Sequence, residues 1–212
     1  MKGVYSIALF GGTFDPFHKG HLELIENLYA ELMPDRMMII PAGHPYMKED
    51  AGRYVTPAVH RIGMTAAGLE NLEIPWEIST VEADKDTPSY SIDTVRHFLE
   101  NGIPEEYSGG NVKVYFLCGS DVLFAIDRWH EYRELLRLVT LSVVPRGDDD
   151  TEKILLRKTE LEKTENASIY ISRFRGKDIS SSLIRGNVER YKKLVPEGTY
   201  GYIKEHGLYG LK

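Results

Sequence analysis

A single cysteine, Cys118, leaves no partner for an internal disulfide. That suits a reducing, cytoplasmic setting, and the thiol reads as a small buried hydrophobe on a strand. No apolar run approaches the roughly 18 residues that a membrane span needs. The apolar start, Val4 to Phe10, is short, rich in β-formers and followed by Gly-Gly without a small-residue cleavage pattern. It therefore reads as a first strand and not as a leader. Basic residues are in the minority, 26 Lys and Arg against 32 Asp and Glu, for a net charge of −6. This argues against a nucleic-acid surface and leaves room for a local basic pocket. Internal repeats and low-complexity tails are missing too. What is there is an ordinary globular composition, 42% hydrophobic and 27% charged, over 212 residues. Such a length suits one domain with its own core.

Short β-rich runs alternate with helical periodicity along most of the chain. Strands are expected at Val4 to Phe10, Met37 to Pro41, Trp76 to Val81, Val112 to Leu117, Val139 to Val144 and Ile169 to Ser172. Helices are expected from His18 to Met33, over 58–70, around Ile92 to Leu99, and from Trp129 to Leu138. Two more, Ser180 to Tyr191 and Gly198 to His206, close the chain. Residues 101–111 read as a surface loop, and 147–166 as a charged stretch with a short exposed helix. The β-α-β-α rhythm predicts an α/β fold, a doubly wound parallel sheet with helices on both faces. Residues 1–212 are expected to form one domain, with 180–212 as C-terminal helices packed on it. Sheets of this kind bind ligands at the carboxyl ends of their strands, and the motifs below fall there.

Gly11-Gly12 follows the first strand directly, and a helix starts a few residues later. Glycines in that place permit a tight turn and close approach of backbone N–H groups to an anion. The free N–H groups and dipole of the helix start add to this. His18 and His21 are three apart, on one face of the first helical turn. Each imidazole can donate to a phosphate oxygen that gains charge in a transition state. Singly, these features have structural readings: a turn, an Asp15-Pro16 helix start, or a metal pair whose third ligand is not apparent. Their union in one strand–loop–helix points to phosphate binding.

The segment Gly11-Gly12-Thr13-Phe14-Asp15-Pro16-Phe17-His18-Lys19-Gly20-His21 resembles the Gly-Gly-Thr-Phe-Asp-Pro-x-His-x-Gly-His signature of bacterial nicotinate mononucleotide adenylyltransferases. These belong to the His-x-Gly-His nucleotidyltransferase superfamily, and the likeness runs through most of the chain. It implies a Rossmann-like fold and transfer of AMP from ATP to nicotinate mononucleotide, giving deamido-NAD and pyrophosphate. On this resemblance Gly11, Gly12, Thr13 and Phe14 contact ATP, Asp15 contacts the acceptor, and His18 and His21 are catalytic.

Further along, Asp178-Ile179-Ser180-Ser181-Ser182-Leu183-Ile184-Arg185 gathers hydroxyls at a helix start with an arginine one turn in. Serines can cap the helix and donate to phosphate, and arginine offers a fixed fork of donors to a leaving pyrophosphate. The segment resembles the family's Ile-Ser-x-Thr-x-Ile-Arg motif on the triphosphate, with Ser182 in place of Thr. That assigns Ile179, Ser180 and Ser182 to ATP and Arg185 to catalysis. Gly119-Ser120-Asp121 ends a strand, where a carboxylate can accept from ribose hydroxyls or simply cap a helix. The resemblance assigns Gly119 and Asp121 to the nucleotide. Trp129 can stack a pyridine ring or pack in the core, and the resemblance favours the nicotinate.

Thr87-Pro88-Ser89-Tyr90-Ser91 reads from its residues as a helix start capped by Ser89 or Ser91. It is similar to the family's Pro-Ser-Tyr-Thr, which implies that Thr87, Ser89 and Tyr90 line the acceptor pocket. Ile40-Pro41-Ala42-Gly43-His44-Pro45-Tyr46-Met47-Lys48 resembles a loop that usually reads Ile-Pro-Asn-x-x-Pro-Pro-His-Lys. It departs at Ala42, Tyr46 and Met47 but keeps Lys48 for the acceptor phosphate. Arg146, in Pro145-Arg146-Gly147, matches an Arg-Pro-Gly strand end with altered order, and is assigned to ATP. The C-terminal Tyr202-Ile203 and His206-Gly207-Leu208-Tyr209 resemble the family's end and read as structural.

The expected reaction is in-line attack by an already anionic phosphate on the α-phosphorus of ATP, through positioning and charge stabilisation. Mg²⁺ is expected as a cofactor carried on the ATP phosphates, with no dedicated protein ligand. The partners are then ATP and nicotinate mononucleotide, with no nucleic acid and no membrane, and with self-association left open. The alternatives are a related nucleotidyltransferase acting on nicotinamide mononucleotide or another phosphorylated acceptor, and a non-catalytic nucleotide sensor. A sensor has no need of both histidines and Arg185.

Overall fold

The computed structural model describes residues 3–43, 54–85 and 87–211. In β1 (Tyr5–Gly12), Ile7 and Leu9 face one layer while Ala8 and Phe10 face the other. In β2 (Arg36–Pro41), Met38 and Ile40 alternate in the same way with Met37 and Ile39. Strands that bury both faces need apolar residues at successive positions, which is why these runs are so uniformly hydrophobic. With β3 (Trp76–Ile78), β4 (Val112–Gly119), β5 (Thr140–Val144) and β6 (Ser168–Ile171) they form a parallel sheet in the order β3-β2-β1-β4-β5-β6. The order reverses between β1 and β4. Chains leaving those two strand ends diverge, and a crevice opens between them.

Helices cover both faces. On one side α1 (Lys19–Leu32) and α2 (Ala58–Leu69) bury Leu24, Ile25, Leu28 and Leu69. On the other, α3 (Ser91–Asn101), α4 (Ser120–Ala125), α5 (Tyr132–Leu138) and α6 (Thr151–Thr164) bury Ile92, Val95, Phe98, Leu123, Leu135 and Ile154. A smaller third cluster joins Met64 of α2 to Ile184 of α7 (Ser181–Gly186) and Ile203 of α8 (Glu197–Glu205). The expected doubly wound α/β architecture and its C-terminal helical portion are therefore present.

Several local boundaries differ from expectation for identifiable reasons. β1 continues through both glycines because Gly11 and Gly12 pair with Ile40 and Pro41 of β2. β3 stops at Ile78, where the paired stretch of β2 ends at Ile39. The helix expected from Trp129 begins only at Tyr132. Glu131 takes a left-handed φ of 48°, and Trp129 is extended after a 3-10 turn over Ile126–Arg128. The helix in the charged stretch is 14 residues long and not merely exposed, since Ile154 and Leu161 enter the core. The helix expected over 180–191 ends at Gly186. Neither Ser180 nor Ser89 nor Ser91 caps: Ser180 and Tyr90 occupy the N-cap positions without a side-chain capping bond.

Candidate active site

The loop after β1 closes on itself. Phe14, at φ 50° and almost fully buried, lays its ring over Gly12 and against Phe10, Phe17 and His21. A Cβ on Gly12 would lie 2.5 Å from that ring, so the second glycine is demanded by packing. His18 is the N-cap of α1, and its N–H donates to His21 Nδ1 at 3.2 Å. The imidazoles stack with centroids 3.6 Å apart. With His21 Nδ1 acting as acceptor, its proton sits on Nε2. His18 is buried, and its Nδ1 has no hydrogen-bond partner. Burial, helped by the nearby Arg146 cation, lowers its pKa to about 4. His18 is thus neutral at pH 7.

A cavity of about 510 Å³ opens at the β1/β4 reversal. Gly11, Gly12, Thr13, Phe14, His21, Ser89, Tyr90, Gly119, Asp121, Trp129 and Arg146 all line it. Trp129 is held edge-on by Phe116 at 5.9 Å, and Tyr90 lies 4.3 Å from the His130 ring. Ser89 Oγ is buried and unpartnered. Asp121 Oδ1 and Arg146 Nη1 are 3.7 Å apart across Gly119, where a Cβ would strike both side chains. Asp149 secures this corner by accepting from the Arg146 N–H at 2.7 Å and from the Ser120 hydroxyl. A second, narrow cleft is lined by His18, His21, Arg146, Lys177 and Ile179, so His21 and Arg146 face both spaces.

The remaining residues singled out from sequence lie elsewhere. Thr87 is exposed and outside the cavity lining. Ser180, the N-cap of α7, and Ser182 within it are exposed. Ser181 Oγ donates to Pro16 O at 3.2 Å, and Arg185 Nη2 donates to Ser182 Oγ at 3.0 Å. Asp15 is 2% exposed and its carboxylate is turned inward, away from the cavity lining. It accepts from Tyr209 O–H at 2.6 Å and from Thr56 N–H at 3.4 Å. Lys48, with Tyr46 and Met47, lies outside the described residues.

Three residues lie outside the sequence motifs, and a fourth, Tyr209, stands in them only as structural. Arg61 of α2 is buried, and its fork donates to the carbonyls of Thr56, Thr13 and Gly43 at 2.8–2.9 Å, joining three loops. Its signal was a cation at an apolar helical position, in register with Met64 and Thr65. Glu82 lines the cavity and accepts from Thr94 Oγ1 at 2.7 Å, and burial raises its pKa. Lys177 of the narrow cleft pairs with Glu23 at 2.7 Å. Tyr209 comes from the far end of the chain. Glu82 and Lys177 carry no local sequence pattern, and the motif that holds Tyr209 does not show its partner Asp15.

Donor groups at a helix start, a crevice at the sheet reversal and flanking aromatics define a nucleotidyltransferase of the doubly wound class. The chain belongs to the cytidylyltransferase-like family, whose model matches residues 9–187, and within it groups with the nicotinate-nucleotide adenylyltransferases. It is 35% identical, over 95% of both chains, to a probable nicotinate-nucleotide adenylyltransferase of Dehalococcoides mccartyi. It is 33% identical to one of Clostridium tetani, over 95% of this chain and 98% of that one. In fold it is similar to the Plasmodium falciparum nicotinic acid mononucleotide adenylyltransferase complexed with NaAD, with a TM-score of 0.71, 19% identity and 98% of each chain covered.

Proposed function

We infer that this protein transfers AMP from ATP to nicotinate mononucleotide, forming deamido-NAD and releasing pyrophosphate. The observation that carries the reading is one cavity lined by both His21 and Trp129, a hydrogen-bond donor for phosphate and a ring-stacking surface, at the reversal between β1 and β4. The mononucleotide phosphate oxygen forms a bond to the α-phosphorus of ATP as the bond to the β-phosphate oxygen breaks. The attacking oxygen is already anionic, so no proton need be removed. His21 Nε2–H and the neutral His18 donate to the phosphates, Arg146 reaches them from the strand end, and Arg185 takes the leaving pyrophosphate. Asp121 accepts from ribose, Trp129 and Tyr90 hold the pyridine, and Lys48 meets the acceptor phosphate.

Among the described residues no three His, Cys, Asp or Glu side chains converge on a metal. His18, His21, Arg146 and Lys177 of the narrow cleft are donors and cations suited to phosphate oxygens. This set fits Mg²⁺ arriving on ATP, where the ion would neutralise phosphate charge. On this reading residues 1–212 form one catalytic unit. ATP as substrate, together with the buried Cys118 thiol, suits a cytoplasmic setting.

The test is a side-by-side assay of the purified protein with ATP, Mg²⁺ and either the acid or the amide mononucleotide. The acid is expected to be faster by at least about tenfold, as for a buried polar group built for one partner. Equal rates, or a faster amide, sink the nicotinate assignment. Binding of ATP without any turnover supports a sensor instead.

A further inference from the structure

The Asp15 carboxylate is the meeting point of three chain segments. Tyr209 O–H donates to Oδ1 at 2.6 Å, Thr56 N–H donates to Oδ2 at 3.4 Å, and Arg185 Nη1 stands 3.7 Å from Oδ2. The same Nη1 donates to the Asp15 main-chain carbonyl at 2.5 Å, while Nη2 is bonded to Ser182. Arg185 is therefore held by a neutral carbonyl and a hydroxyl and pairs only loosely with the carboxylate beside it. A close, forked Arg–carboxylate pair would form at about 2.7–2.9 Å and would compete with phosphate for the same donors.

Tyr209 comes from the last described turn, Leu208–Gly210, and sits at φ 54°, ψ 28°, a left-handed conformation unfavourable for a tyrosine. Its ring reaches back to α2, with the hydroxyl 3.6 Å from Met64 Sδ. Burial and the adjacent Asp15 raise its pKa, so the hydroxyl remains a donor throughout the working range.

We propose that Tyr209 is a positioning residue for Arg185: by occupying Asp15 Oδ1 it keeps the carboxylate from closing on the guanidinium, leaving Arg185 available to pyrophosphate. The proposal rests on the reading of Arg185 as the pyrophosphate ligand. Without the tyrosine hydroxyl the buried carboxylate lacks its shortest donor, and the nearest replacement is Arg185 Nη1. The pair then tightens at the expense of the leaving group.

The test runs the reaction in reverse, from deamido-NAD and pyrophosphate, so that KM is read separately for each. Tyr209→Phe is expected to raise KM for pyrophosphate about tenfold, the usual order for one hydrogen bond to a charged group. KM for deamido-NAD should stay within about twofold. Arg185→Lys supplies the control and the double variant the coupling, which is expected to be no worse than Arg185→Lys alone. Fully additive effects, or Tyr209→Phe constants equal to wild type, overturn the proposal. So does a loss of rate with both KM values unchanged, which marks a merely structural role. If Arg185→Lys itself leaves the pyrophosphate KM unchanged, the Arg185 assignment fails and the proposal with it. If Tyr209→Phe does not fold, Asp15→Asn carries the test, because it keeps an acceptor for Tyr209 and removes the competing charge. The pyrophosphate KM then falls or holds, and a rise overturns the proposal.

Discussion

His21 presents its Nε2–H because the His18 N–H occupies its Nδ1, and on the proposed mechanism a donor fixed in this way needs no reorganisation as phosphate charge develops. His21→Ala is therefore expected to lower kcat by about 10²–10³, with the far-UV spectrum unchanged. Wild-type turnover in that variant removes His21 from the mechanism. His18 and His21 are alike in sequence spacing, but only the fold tells which is the buried cap. The same holds for Asp15. As a residue of the signature it is expected at the acceptor, yet the fold buries its carboxylate against Tyr209 and Thr56.

At the scale of elements, the site is assembled from strand ends, and two glycines there are constrained differently. A methyl at Gly12 meets the ring of Phe14, itself wedged among Phe10, Phe17 and His21, so the ring cannot withdraw. Gly12→Ala should cost about 1–3 kcal/mol, as overpacking of a filled core does, measured as a lowered urea midpoint together with reduced activity. A methyl at Gly119 meets the free ends of Asp121 and Arg146, which can swing aside. Gly119→Ala should leave the unfolding free energy within about 0.5 kcal/mol while raising KM for ATP. A matched loss of stability in both variants contradicts this distinction. The β1–loop–α1 element was legible because its turn, helix start and apolar periodicity are all local. The C-terminus was legible only as helices with a family-like structural end, because the partner of Tyr209 lies 194 residues away.

For the molecule as a whole, the buried neutral His18 ties stability to pH. Its pKa is about 4 in the fold against 6.5 in the open chain. As pH falls through 6.5 the unfolded chain takes up a proton that the folded protein refuses. Stability is therefore fully present above about pH 6.5 and is lost progressively towards pH 4, by about 3 kcal/mol from this group. Glu82, whose pKa burial raises, acts in the opposite sense: its folded form regains stability as it protonates. Urea midpoints at pH 7 and pH 4.5 should show a fall that is smaller in His18→Asn, and an equal fall in both removes His18 as its cause. The layered α/β class is already legible in the chain, since uniformly apolar strand runs and amphipathic helices are encoded within a few residues. The sequence also marked the loop over 11–21 as a candidate site, where glycine, histidine and helix start lie side by side. It takes the folded chain to show that Trp129 and His21 share one cavity, that Arg61 joins three loops, and that Asp15 faces Tyr209 and not the cavity. Those pairings depend on which strand ends and helix faces are brought together, and contacts between distant segments leave no periodic trace in a sequence.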